Sequence, residues 1–166
     1  MRKPSLLTAL AIGFACSAPT SLADASSVSP RSALQANYDS LYADARHKDV
    51  ANGLRYFAHD FVGEDDVSRP EMGKPVDWAA IRQIATEYTA SSQSIRGQAV
   101  ITALTVKGSE ATATVRHHAV IAALDGKHHW RGVFDAVTQD TWVHGPQGWL
   151  MQRGRALSLQ VQRHEH

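Results

Sequence analysis

The dipeptide Asp125-Gly126, set between two runs that alternate apolar and polar residues, constrains this chain more than any other feature. A two-residue hairpin turn needs positive φ at both central positions, which Gly takes freely and Asp tolerates. Two further breaks, Lys107-Gly108-Ser109-Glu110 and Gly145-Pro146-Gln147-Gly148, divide the stretch from Ile95 to Gln162 into four long segments. Those segments read as a four-stranded antiparallel meander.

Each turn then fixes a register. With Asp125-Gly126 as the turn, Ile121 pairs with Trp130, His117 with Phe134 and Val115 with Ala136. A turn at Gly108-Ser109 sets Leu104 against Ala113, Thr102 against Val115 and Val100 against His117. A loop over Gly145 to Gly148 sets Trp142 against Met151, Asp140 against Arg153 and Thr138 against Arg155. The inner face so assembled is apolar with a polar minority: Gln98, Thr102, His117, Thr138, Asp140, Arg153 and Arg155. Side chains alternate along a strand, so a slip of one residue would exchange the faces, and a bulge would shift the parity beyond it. The opposite face carries Arg116 beside Asp135 and is suited to water or a second subunit.

Ahead of this sheet, Leu34, Tyr38, Leu41, Tyr42 and Ala45 recur at helical spacing. Asp49 suits the N-cap of a short second helix carrying Val50, Leu54, Phe57 and Phe61. The acidic stretch from Val62 to Lys74 reads as a loop, and Pro75 opens a third helix with Trp78, Ile81, Ile84 or Ala85, and Tyr88 on its apolar side. Three helices before an antiparallel meander make an α+β domain, with the helices packed on the concave face of a curved sheet.

At 166 residues, 43% apolar and 20% charged, the chain has the size and composition of one globular domain. Its net charge of +1 falls close to zero without Arg2 and Lys3, and no basic stripe supports nucleic-acid binding. Arg2 and Lys3 precede an apolar run from Leu6 to Ala15, too short to span a bilayer, and then small residues. Residues 1–25 therefore read as a signal peptide cut after Ala23 or Ala25, with a lipid anchor on Cys16 as the minor alternative. Residues 26–33 read as a flexible lead-in and residues 34–162 as the domain. Cys16 is the one cysteine, so the mature domain holds no disulfide and no thiolate ligand. The expectation is a periplasmic or secreted protein without a membrane span.

The helix ending in Tyr42-Ala43-Asp44-Ala45, the corner Lys48-Asp49, the segment Tyr56 to Phe61 and the hairpin Asp140 to Leu150 resemble the nuclear transport factor 2-like superfamily. The likeness is to its SnoaL-like and ketosteroid-isomerase-like members and runs from about Leu34 to Val161. It implies a cone-shaped domain whose wide end opens into a pocket between helices and sheet, often dimeric through the outer sheet face. Members include isomerases, dehydratases, hydrolases and non-catalytic binding modules. The fold's epoxide hydrolases use an Asp-Arg-Asp constellation, of which Asp140 and Arg153, with Arg155 a diagonal step away, supply a part. Its dehydratases use His and Tyr, a role open to His117 with Tyr38 or Tyr42.

The candidate pocket is therefore Tyr38, Tyr42, Trp78, His117, Asp140, Trp142, Arg153 and Arg155, with His117 and Asp140 as candidate acid-base groups. The expected occupant is a small apolar or weakly anionic molecule, with no cofactor. A metal-independent isomerase, dehydratase or hydrolase is the alternative, and an interaction module a third. Nine histidines raise the question of a metal. His117 and His118 point to opposite faces, as do His128 and His129, while His117 and His128 lie roughly 20 Å apart at about 3.3 Å per residue. No two of these four are expected to share an ion without a bulge.

Overall fold

The computed structural model describes residues 28–64, 75–125 and 128–165. The leader, most of the acidic loop and the tip of the Asp125-Gly126 turn lie outside these residues. Helix α1 spans Pro30–His47 and α2 spans Val50–Leu54. Strands β1 (Phe57–Glu64) and β2 (Val76–Asp77) precede α3 (Trp78–Ser91). Strands β3 (Ser92–Lys107), β4 (Glu110–Asp125), β5 (His128–Gly145) and β6 (Gly148–Glu165) follow.

Local chemistry sets the helix boundaries. Ser29 caps α1 by accepting from the Ser32 amide, and Pro30 occupies the first turn, where its missing donor costs nothing. The helix thus begins inside the stretch expected to lead into the domain. It stops at Lys48, which turns left-handed (φ 60°) while the amides of Lys48 and Asp49 close onto the carbonyls of Ala45 and Asp44. Asp49 and Asp77 cap α2 and α3 in the same manner, each side chain accepting from an amide three residues on.

The meander of β3 to β6 is as expected, but the sheet is larger. Among the described residues, six strands run in the order β2-β1-β6-β5-β4-β3, forming a curved, unclosed mixed sheet. Val76–Asp77 pairs with β1 where the third helix was expected to open, and the second expected helix accounts for the other added strand. It ends at Leu54, and Phe57–Glu64 forms a strand parallel to β6. The spacing of Phe57 and Phe61 fits a helix as well as an irregular strand. The strand wins because Tyr56, Ala58 and Phe61 are all buried and the Tyr56 carbonyl accepts from the Met151 amide at 2.7 Å.

Register decides what reaches the inner face. β4 and β5 pair two residues out of the expected register: His117 faces Ala136, Ile121 faces Gly132 and Asp125 faces His128. A slip of two preserves parity, so the inner set stays inner. On either side, bulges change parity. One between Ile101 and Ala103 places Ala99, not Val100, opposite His117. Val100 is therefore 51% exposed, and Gln98 and Thr102 are exposed as well, which corrects their expected inward direction. β3 is an edge strand, and side chains of α1 occupy its free backbone groups. Gln35 donates to the Ala99 carbonyl at 2.8 Å and accepts from the Ile101 amide at 3.2 Å, while Arg31 donates to the Ile101 carbonyl at 2.8 Å.

A second bulge lies between Thr141 and Trp142. Beyond it Asp140 faces Gly154, Thr141 faces Arg153 and Gln139 faces Arg155. The expected Asp140–Arg153 pair is absent. Both arginines are exposed, and Arg153 meets Glu64 instead at 3.5 Å.

Candidate functional site

The narrow part of the inner face is packed solid. Leu34 and Tyr38 of α1 press on Ala111, Ala113 and Val115 of β4 and on Trp142 of β5, and these six residues are at most 1% exposed. Tyr38 and Trp142 meet edge to face with centroids 5.2 Å apart. One helical turn on, the packing opens. A cavity of about 420 Å³ lies between the sheet and all three helices, within the roughly 300–1,000 Å³ typical of small-molecule sites.

Each wall comes from a recognisable stretch of sequence. Leu41, Tyr42 and Ala45 continue the apolar stripe of α1, and Leu54 comes from α2. α3 presents Ile81, Ala85, Tyr88 and Thr89. The floor is Ile95 of β3, then His117, Ala119 and Ile121 of β4, and Phe134, Ala136 and Thr138 of β5. The alanines leave the space that larger side chains fill at the narrow end. Gly97 makes room for Tyr42: a Cβ there would lie 2.3 Å from Tyr42 Cε1, so only glycine lets the ring lie against β3.

The polar groups at the floor form one chain of hydrogen bonds. Tyr42 Oη lies 3.1 Å from His117 Nδ1, and His117 Nε2 lies 3.0 Å from Thr138 Oγ1. Thr138 donates to Asp140 Oδ2 at 3.0 Å, and Tyr38 donates to the same oxygen at 2.5 Å. Trp142 Nε1 in turn donates to Tyr38 Oη at 3.0 Å. His117 thus faces the cavity while Asp140, 3% exposed, sits behind it.

Burial dominates the electrostatics. It pushes the His117 imidazolium down to about 4, so the ring is neutral near pH 7. It pushes the Asp140 carboxyl up to about 6, partly offset by the hydrogen bonds from Tyr38 and Thr138, so Asp140 is ionised near pH 7. Tyr42 is pushed up to about 12, and Tyr38 higher still through burial beside the Asp140 charge. A neutral imidazole beside a phenol that keeps its proton can accept at one atom and donate at the next. Among the described residues, no three His, Cys, Asp or Glu side chains gather around a common point.

No family model and no curated protein sequence matches the chain. Solved structures do. A provisionally named scytalone dehydratase from Novosphingobium aromaticivorans superposes with a TM-score of 0.65 at 11% identity, over 81% of this chain and 85% of that one. A hexachlorocyclohexane dehydrochlorinase (LinA) of type 2 gives 0.61 at 9% identity, over 80% and 88%. A provisionally named calcium/calmodulin-dependent protein kinase II association domain from Xanthomonas campestris gives 0.56 at 14% identity, over 75% and 84%.

The chain has the nuclear transport factor 2-like fold.

Within this nuclear transport factor 2-like domain the candidate residues separate into three groups. Tyr42 and His117 line the cavity. Tyr38, Asp140 and Trp142 form the buried chain behind it. Trp78, Arg153 and Arg155 lie elsewhere: Trp78 stacks edgewise on His59 at 5.1 Å near the start of α3, and the arginines are on the outer face. Thr138 stood among the inner polar residues but was not joined to His117. In the expected register it faced Ala113, and the shift of two brings it to Val115, one diagonal step from His117.

Proposed function

We propose that this domain takes up a small, apolar molecule without negative charge, and that His117 meets it as an acid-base group. The supporting observation is the composition of the cavity. Among the described residues its wall is almost wholly apolar, Asp49 is the one formally charged residue lining it, and a single imidazole, that of His117, stands at its floor. An anionic occupant loses its support once Arg153 and Arg155 are placed outside. The folds of a dehydratase and a dehydrochlorinase, both named for eliminations, are compatible with the same reading.

The chemistry follows from protonation states. A base whose conjugate acid ionises near 4 holds a proton poorly by itself. The Asp140 carboxylate, one hydroxyl away through Thr138, supplies the countercharge for an imidazolium formed during reaction, while the Tyr42 hydroxyl is a donor for a developing negative charge on the substrate. Proton abstraction from a neutral substrate, as an isomerase or dehydratase requires, is the reaction class that suits this pair.

A thermal-shift titration with neutral aromatic and alicyclic compounds tests the reading. Binders raise the melting temperature progressively with concentration, and Ala119→Phe, which fills the cavity, abolishes the rise. A preference for carboxylates, or no shift with any neutral compound, contradicts it. Loss of turnover of a bound compound in His117→Asn marks an enzyme, whereas retained binding without turnover in the parent marks a binding module.

The leader and the outer face extend the proposal. The domain acts outside the cytoplasm, and the N-terminal residue of the exported chain would follow Ala23 or Ala25. Among the described residues no helix is long and apolar enough to cross a membrane. Val100 leaves apolar surface exposed on the outer face of the sheet, and homodimerisation through that face would cover it. Sedimentation equilibrium of the wild type and of Val100→Lys decides that point.

A further inference from the structure

We propose that Asp140, acting through Thr138, is a positioning residue that holds His117 in the tautomer protonated on Nε2, so that Nδ1, the nitrogen beside Tyr42, always presents a lone pair. The inference rests on reading His117 as the acid-base group of the cavity, and adds to that reading which atom does the work.

Proton counting carries the argument. A threonine hydroxyl has one proton to give. Tyr38 and Thr138 both donate to Asp140 Oδ2, so the Thr138 proton is committed to the carboxylate. Thr138 Oγ1 can then only accept from His117 Nε2, 3.0 Å away. That places the ring proton on Nε2 and leaves Nδ1 to accept from Tyr42 Oη at 3.1 Å. Trp142 closes the far end, because its Nε1–H donates to Tyr38 Oη and thereby turns the Tyr38 proton towards Asp140.

The opposite arrangement is also a complete set of bonds on paper: Nδ1–H donating to Tyr42 and Thr138 donating to Nε2. It takes the Thr138 proton away from a carboxylate that is 3% exposed and faces Gly154 rather than an arginine. A hydrogen bond to a buried charge is stronger than one between neutral groups, so the chain ordered towards Asp140 wins. The consequence for recognition is chemical. A ligand group that displaces the Tyr42 hydroxyl from Nδ1 must itself donate, as an alcohol, a phenol or an acidic C–H does, and its oxygen can accept the released Tyr42 proton. Ethers and tertiary amines find no partner at Nδ1.

Nitrogen-15 spectra of the His117 ring, recorded on ligand-free protein above the ionisation of Asp140, test this without reference to any substrate. In the wild type, Nε2 resonates as a protonated nitrogen and Nδ1 as an unprotonated one. In Thr138→Val, which keeps the shape but removes the hydroxyl, the proton moves to Nδ1, and Thr138→Ser restores the parent pattern. A wild-type ring protonated on Nδ1 overturns the proposal with no variant needed, and so does a Thr138→Val protein whose ring stays protonated on Nε2. If the spectra come out as expected and no compound binds in the thermal-shift titration, the reading of the cavity fails while the tautomer assignment stands.

Discussion

The inner face of the sheet has two ends made from the same strands, and they do opposite things. At the narrow end Ala111, Ala113 and Val115 of β4 are covered by Leu34, Tyr38 and Trp142, with no residue of the six more than 1% exposed. At the wide end the same strands present Ala119, Ile121, Phe134 and Ala136, and the helices above them enclose about 420 Å³ rather than filling it. Small residues alternate along the strands at both ends. What differs is the partner: a tryptophan and a tyrosine fill the first, while at the second Tyr42 lies against Gly97 and the α3 residues line open space. Tyr38 and Tyr42, one helical turn apart, mark the boundary, one tying down the core and the other facing the cavity.

Removing an aromatic ring from each end separates them most strongly. Trp142→Ala is expected to destabilise the domain by about 4 kcal/mol, the loss typical of a fully buried large ring. Phe134→Ala, at a cavity wall already partly empty, should cost under about 2 kcal/mol. Urea unfolding measures both, and equal losses would erase the distinction between filled and open ends.

The next effect is in pH. The Asp140 carboxyl ionises near 6 in the fold against 3.8 as a free carboxyl, so the folded state holds an extra proton between those values and loses stability as pH rises through them. His117 ionises near 4 against 6.5, so here the unfolded chain holds the extra proton and stability rises with pH between about 4 and 6.5. The two nearly cancel. His117→Asn leaves the Asp140 contribution alone, and that variant should lose about 3 kcal/mol relative to wild type between pH 4 and 6. An unchanged pH dependence would show that the two groups are not buried as described.

Smaller still is the effect of enlarging the alanines. Ala113→Leu overfills the narrow end and should cost about 1–3 kcal/mol. Ala136→Leu extends into open space and should change stability by no more than about 0.5 kcal/mol while weakening ligand binding. At the bottom of the scale, Arg153→Ala breaks an exposed contact with Glu64, should cost less than about 1 kcal/mol, and should leave ligand binding intact.

How much of this was legible in the sequence varies along the chain. The inner faces of β4 and β5 were, because a two-residue slip keeps parity and so His117, Ala119, Ile121, Phe134 and Ala136 stay together. The direction of Asp140 and Trp142 was readable as well. Arg153, Arg155, Gln98 and Thr102 were not, since Thr102 is itself the inserted residue of a bulge, the others lie beyond one, and an inserted residue leaves no mark in an alternating pattern. Strand β1 was hidden because the four-residue spacing of Phe57 and Phe61 satisfies a helix, and pairing with β6, nearly a hundred residues away, overrides it. The link from His117 to Asp140 needed the true register, for only there does Thr138 come within reach of the ring.

The central claim is that the wide end is a ligand site, and a crystal soaked with iodobenzene tests it most directly. The account predicts an anomalous iodine peak enclosed by Tyr42, Ile81, Ala119 and Phe134, in contact with His117. A cavity closed by inward collapse of α3, or iodine found only on the outer face of the sheet, would contradict it.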